Sequence, residues 1–133
     1  TLTIRTQNLS VREGAQIATG TFGNGDAGNL TVTATTVELI GRSANNQFPS
    51  SLGASVVAGG TGKGGTLTVN ADRLIVRDGA AIDVQSDGDG DAGDLIINVR
   101  NLSVRNGAQI GTGTFGNGDA GDLIVTATTV ELV

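Results

Sequence analysis

Short runs of alternating apolar and polar residues recur along the whole chain. The first set is Leu2 and Ile4, then Leu9 and Val11, then Ala15 and Ile17, with polar residues between the partners. Alternation with a period of two over so few residues predicts short strands with one buried face, and no helical spacing accounts for it. A glycine-rich stretch follows each set. The pattern then restarts at Asn29, Thr66, Asp94 and Asp122. These restarts divide the chain into units 1–28, 29–65, 66–93 and 94–121 and a partial unit 122–133. The second unit is longer, and the excess reads as an insertion at 42–52 (RSANNQFPSSL) between its second and third strands.

When the units are superposed, the apolar positions fall into columns. Leu2, Leu30, Leu67, Leu95 and Leu123 form one, and Ile4, Val32, Val69, Ile97 and Val125 the next. Leu9, Val37, Leu74, Leu102 and Val130 follow, then Val11, Leu39, Val76, Val104 and Leu132. A third face is expected to hold Ala15, Ala54, Ala80 and Ala108 beside Ile17, Val56, Ile82 and Ile110. Columns of this kind arise when each strand pairs with its counterpart one unit later, roughly 4.8 Å away. The expected fold is therefore all-β. It is a right-handed parallel β-helix, or β-solenoid, of about five coils of roughly 28 residues with three short strands each. The hand follows from the general preference of parallel crossovers.

A larger period lies over the smaller one. Asn8–Ile40 matches Asn101–Val133 at 28 of 33 positions, an offset of 93 residues. Both ends of the sequence fall inside strand patterns, and we expect the chain to be one stretch of a longer repeat array.

Composition narrows the reading. There are 22 glycines, one proline and three phenylalanines, and no Cys, Met, His, Trp or Tyr. The core must then be aliphatic, in thin repeated layers. The net charge of −5 with so few aromatics argues against a nucleic-acid partner, since affinity there rests on Lys and Arg at phosphates. No apolar run is long enough for a membrane span. Without His or Tyr, and without aromatic sugar platforms, the repeats offer poor material for acid–base catalysis. No catalytic residue is assigned and no enzyme is expected. The stretch Gly59–Gly65 has a lysine, Lys63, but it is followed by Gly64 and a strand, so it is no phosphate loop. Thr3, Thr31 and Thr68 stack, yet Ile96 and Ile124 continue that column, so no flat threonine face is expected.

Two places retain candidate chemistry. Asp87, Asp89, Asp91 and Asp94 alternate with Gly and Ala in SDGDGDAGD, a spacing that delivers oxygen ligands to Ca²⁺ in hand-type loops. Calcium is accordingly the only cofactor considered. Against it, Ala92 and Asn98 stand where such a loop needs Gly and Glu, and the sister loops keep only Asp26 and Asp119. Asp and Gly also serve ordinary turns. The second place is the insertion, where Asn45, Asn46, Gln47 and Phe48 form a candidate binding loop for a glycan or protein. The competing expectation, favoured here, is that Phe48 folds back over the coil edge beside Ile40.

The words NLSVR.GAQI.TGTFGNGDAG followed by LTVTATTVEL resemble the repeats of large filamentous-haemagglutinin-like exoproteins, in particular their cyanobacterial type. The resemblance covers the chain apart from 42–52. It implies two-partner secretion through an outer-membrane partner and a place outside the cell or on its outer surface. The role it implies is a rigid adhesive shaft that contacts glycans or cell-surface receptors. A carbohydrate-binding or carbohydrate-active β-helix module is the alternative, and a self-assembling extracellular filament subunit is a further one. In each case the immediate partners are neighbouring coils of the same or another chain.

Overall fold

The computed structural model describes residues 1–133 and contains only strands, turns and loops. It is a β-solenoid in which every strand pairing is parallel. Strands β1 (Leu2–Arg5) and β2 (Asn8–Arg12) open the first coil, and β3 (Gln16–Thr21) closes it. The inner coils hold β4 (Leu30–Ile40), β5 (Ser51–Val56), β6 (Leu67–Arg77), β7 (Ala81–Ser86), β8 (Leu95–Arg105) and β9 (Gln109–Thr114). The last coil ends with β10 (Leu123–Thr126) and β11 (Thr129–Leu132). One sheet stacks β1-β4-β6-β8-β10, with β2 and β11 on its outer edges, and the other stacks β3-β5-β7-β9.

The pairing follows the first four columns. Leu2 lies opposite Leu30, Leu30 opposite Leu67, Leu67 opposite Leu95, and Leu95 opposite Leu123. Most aliphatic members of the inner coils are fully buried, among them Leu30, Val32, Leu67, Val69, Leu95 and Ile97, while Val104 is partly buried. The core is one continuous cluster of such side chains running through the stack.

Each inner coil has two strands rather than the expected three, because its first two merge into one of 11 residues. The merged strand still bends. Thr35 and Thr36 both face outward in succession, which shifts the alternation by one. The ladder skips Thr35, Asp72 and Arg100 at the same place. With a neighbour on both sides the ladder carries through the bend. In the first and last coils, with a neighbour on one side only, it breaks at Thr6–Gln7 and Ala127–Thr128.

The third face also departs from expectation in the second coil. Ile17 lies opposite Leu52, Leu52 opposite Ile82, and Ile82 opposite Ile110. Ala54 sits between Thr19 and Val84, and Val56 between Thr21 and Ser86. Ser51 and Leu52 therefore belong to β5 and not to the insertion. The expected alignment was four residues out of register. An even slip keeps every inward residue inward, so alternation alone does not detect it. The position beside Ala15 and Ala80 is filled by Ser50. It is wholly buried, and its hydroxyl accepts from Gly14 N (2.9 Å) and donates to the Ile40 carbonyl (2.8 Å).

The corner before the shorter sheet is a repeated turn. Glu13-Gly14, Asp78-Gly79 and Asn106-Gly107 all have both residues at positive φ, between 52° and 85°. Bonds from Ala15 N to Arg12 O, Ala80 N to Arg77 O and Ala108 N to Arg105 O close them as type I′ turns. Asp72 and Arg100 of neighbouring coils form an exposed 3.8 Å ion pair, and Asp78 contacts Arg77 at 2.8 Å. Such exposed pairs add little to stability.

Candidate functional site

The four aspartates of the candidate calcium loop are spread along the glycine-rich corner, and three of them bond to the next coil. Asp91 Oδ1 accepts from Asp119 N at 2.8 Å, Asp94 Oδ1 from Asp122 N at 2.9 Å, and Asp89 Oδ1 from Asn117 Nδ2 at 2.9 Å. Asp87 Oδ1 accepts from Gln85 Nε2 at 2.7 Å. The first coil does the same, with Asp26 and Asn29 accepting from Lys63 N and Thr66 N. A carboxylate or amide at these places satisfies a backbone N–H that the turn leaves without a strand partner. No three acidic side chains converge in a group able to hold a metal ion. The alternation of Asp with Gly thus marks inter-coil rungs. Gly must lie flat against the coil below, while Asp reaches the coil above.

The insertion is a closed hairpin laid over the corner. Arg42 bridges to Pro49, Ser43 N donates to the Phe48 carbonyl at 2.8 Å, and Asn46 takes a positive φ of 60°. Asn45 Oδ1 accepts from Ser43 Oγ and Gln47 N, and Asn45 Nδ2 donates to Gln47 Oε1. The Asn45 amide and the amide oxygen of Gln47 are occupied within the loop. Phe48 is 53% exposed, so it does not fold back as a seal over Ile40; the loop's own turn holds it outward.

A third feature escaped the sequence reading. The outer face of the four-stranded sheet is floored by small residues: Ala18 and Gly20 on β3, Gly53 and Ser55 on β5, and Gly111 and Gly113 on β9. Longer side chains on that face are Gln16 on β3, Asp83 and Gln85 on β7, and Gln109 on β9. The floor makes two shallow openings of about 610 and 190 Å³, which share Pro49 and Asp83. Pro49 of the insertion borders one side, and Phe115, 82% exposed, borders the larger opening on the other. Phe22 takes the matching place in the first coil, offset by 93 residues. The signal available in the sequence was the small outward residue at alternate positions of the third strand, visible once the register is right.

Asp83 is the one group whose acidity is clearly displaced. Burial in the sheet face pushes its carboxyl up from the ordinary value, and the nearby charge of Asp87 adds to this. It has no cationic neighbour, since the ion pairs of the chain engage Glu38, Asp78, Asp72 and Glu131. A raised folded-state pKa means the ionised form is disfavoured by folding. Stability is then full below the unfolded value of about 3.9 and declines as pH rises through the folded value. Asp83→Asn removes that loss. Thermal melts are expected to show the variant more stable than the parent near neutral pH, with the gain disappearing below about pH 3.9. A gain of the same size at both pH values would contradict the account.

A further opening of about 530 Å³ lies outside the longer sheet, between Arg73, Arg77 and Arg105 and beside Ser103. Arg105 is taken up by Glu131 at 2.6 Å. No helix is long and apolar enough to cross a membrane. The chain matches no protein-family model, no curated protein and no solved structure.

Proposed function

We propose that this chain is a structural and adhesive repeat segment of a large secreted or cell-surface protein, in which stacked coils make a rigid shaft. The observation that carries the reading is the unbroken core. Each coil buries its aliphatic face against the next, and the ladders run from coil to coil through the whole stack. Such an architecture gains length by repetition, each added coil bringing its own core and its own interface. The resemblance of the repeat words to two-partner-secretion exoproteins supplies the extracellular setting and the outer-membrane partner of this proposal. Contacts with a receptor or glycan would then come from what projects off the shaft, the Asn45–Phe48 loop first.

The test is an extended chain. A second copy of Asn8–Arg100 inserted between Arg100 and Asn101 adds the 93-residue block in register. Small-angle scattering should show a rod longer by three coil spacings, about 14 Å. Melting should remain a single transition at a higher temperature. Two separate transitions, or an unchanged length, would overturn the shaft.

A further inference from the structure

The charges of the chain are sorted by side. Six of the seven arginines lie exposed on strands of the longer sheet. Seven of the 13 acidic residues lie along the glycine-rich corner, from Asp26 in the first coil to Asp122 in the last. Lys63 is the single cation on that corner.

The two sides also differ in shape. On the arginine side, the opening of about 530 Å³ is floored by the short Asn101 and Ser103 and rimmed by Arg73, Arg77 and Arg105. Arg73 has no acidic partner in the chain. The corner projects instead. Asp87, Asp89 and Asp91 point outward, while Gly88 and Gly90 between them pack on the coil before. Asp89, Asp91 and Asp94 each commit Oδ1 to the next coil and leave Oδ2 without a donor.

Both sets of charges repeat with the coils. Arg77 lies opposite Arg105 on the adjacent strand, and Asp91 is bonded to Asp119 of the adjacent coil. Each pair is thus one coil apart, roughly 4.8 Å. Two stacks of this chain laid side by side keep that spacing in step at every coil, which an acidic partner of another fold does not. Each exposed pair contributes little, but contacts repeated in step act together.

We propose that the arginine trough of one copy receives the acidic glycine-rich corner of a second copy, with the two stacks side by side. The two surfaces differ, so every pair keeps one trough and one corner free, and the association is open-ended. This goes beyond the shaft reading, which is decided by the length of a single rod and not by its partners.

The experiment is sedimentation velocity of the full chain over a range of concentrations, at about 0.05 M and about 1 M salt. At low salt the mass should grow with concentration, and at high salt it should return to that of a single chain. Arg73→Glu changes an exposed, unpaired side chain. Asp119→Lys acts at a column position where the second coil already carries Lys63. Each should weaken association roughly tenfold. An equimolar mixture of the two variants should recover pairing, because the intact trough of one meets the intact corner of the other. Melting temperature is read on both, and should Asp119→Lys melt early, Asp119→Asn replaces it. A chain that stays single at low salt overturns the proposal. So does association that persists at high salt, as stacking of apolar coil ends would, or that Arg73→Glu leaves unchanged. A mixture that stays single overturns it too, as does binding of labelled polygalacturonate by a chain that does not self-associate.

Discussion

Leu95→Asp is expected to abolish cooperative folding. Leu95 is fully buried at the start of β8, between Leu67 of one coil and Leu123 of the next. Removing the leucine forfeits about 1.5–3 kcal/mol of transfer energy. The aspartate then sits in an aliphatic column with no cation or donor, and an uncompensated buried charge costs several kcal/mol more. The sum approaches the ~5–15 kcal/mol that holds an ordinary domain together. β8 also pairs with β6, β10 and β11, so the damage lies inside the ladder and not at its edge. Leu95→Ala separates the two effects. It should cost about 2–5 kcal/mol and lower the melting temperature while the transition stays cooperative. Leu2→Asp repeats the chemistry in the same column where the side chain is 38% exposed, and should cost much less. Urea titrations followed by circular dichroism read all three. A cooperative transition retained by Leu95→Asp would mean that the aliphatic columns do not hold the fold.

How much of this was legible in the sequence depended on whether a feature was periodic. The inward columns of the longer sheet repeat at every coil, so Leu2 to Leu123 and Ile4 to Val125 place themselves without structural help. Gly14, Gly79 and Gly107 likewise announced their positive φ by recurring before each third strand. The second coil lost its register because nothing repeats inside the insertion, and Gly53-Ala54 mimics the Gly14-Ala15 corner. Only Ser50, buried with both sides of its hydroxyl satisfied, fixes the true position, and those bonds join residues 10 and 36 apart. Local spacing offered the aspartates as a ligand set or as ordinary turn residues. Their partners Asn117, Asp119 and Asp122 lie 28 residues away, which no local motif reports. Asp83 lies four residues before Asp87 in sequence, yet it belongs to β7 and faces the outer side of the shorter sheet.

Gly90→Ala is expected to destabilise the chain by about 2–4 kcal/mol although it adds a single methyl group. Gly62, Gly90 and Gly118 stack at the glycine-rich corner, each against the carbonyl of the coil before: Gly25, Gly62 and Gly90 in turn. A Cβ at any of them would come well inside 3.0 Å of that oxygen. The obstacle is backbone, so no rotamer change relieves it, and the two coils must separate at this corner. Separation would strain the bonds that close it, from Gly64 N to Asp91 O at 2.8 Å and from Asp89 N to Gly60 O at 2.9 Å. It would also pull on the buried Ser86 hydroxyl, which donates to the Gly90 carbonyl. Gly111→Ala provides the contrast, with the same methyl added to a strand position that is open for 4 Å. There alanine should be neutral or slightly stabilising, because it restricts the unfolded chain. Comparing denaturation midpoints of the two variants tests whether these glycines are present for turn flexibility or for coil spacing. Equal, small effects would mean flexibility. A large loss confined to Gly90→Ala would mean that the glycines set the distance between coils, and that the aspartate rungs and the sheet faces depend on that spacing.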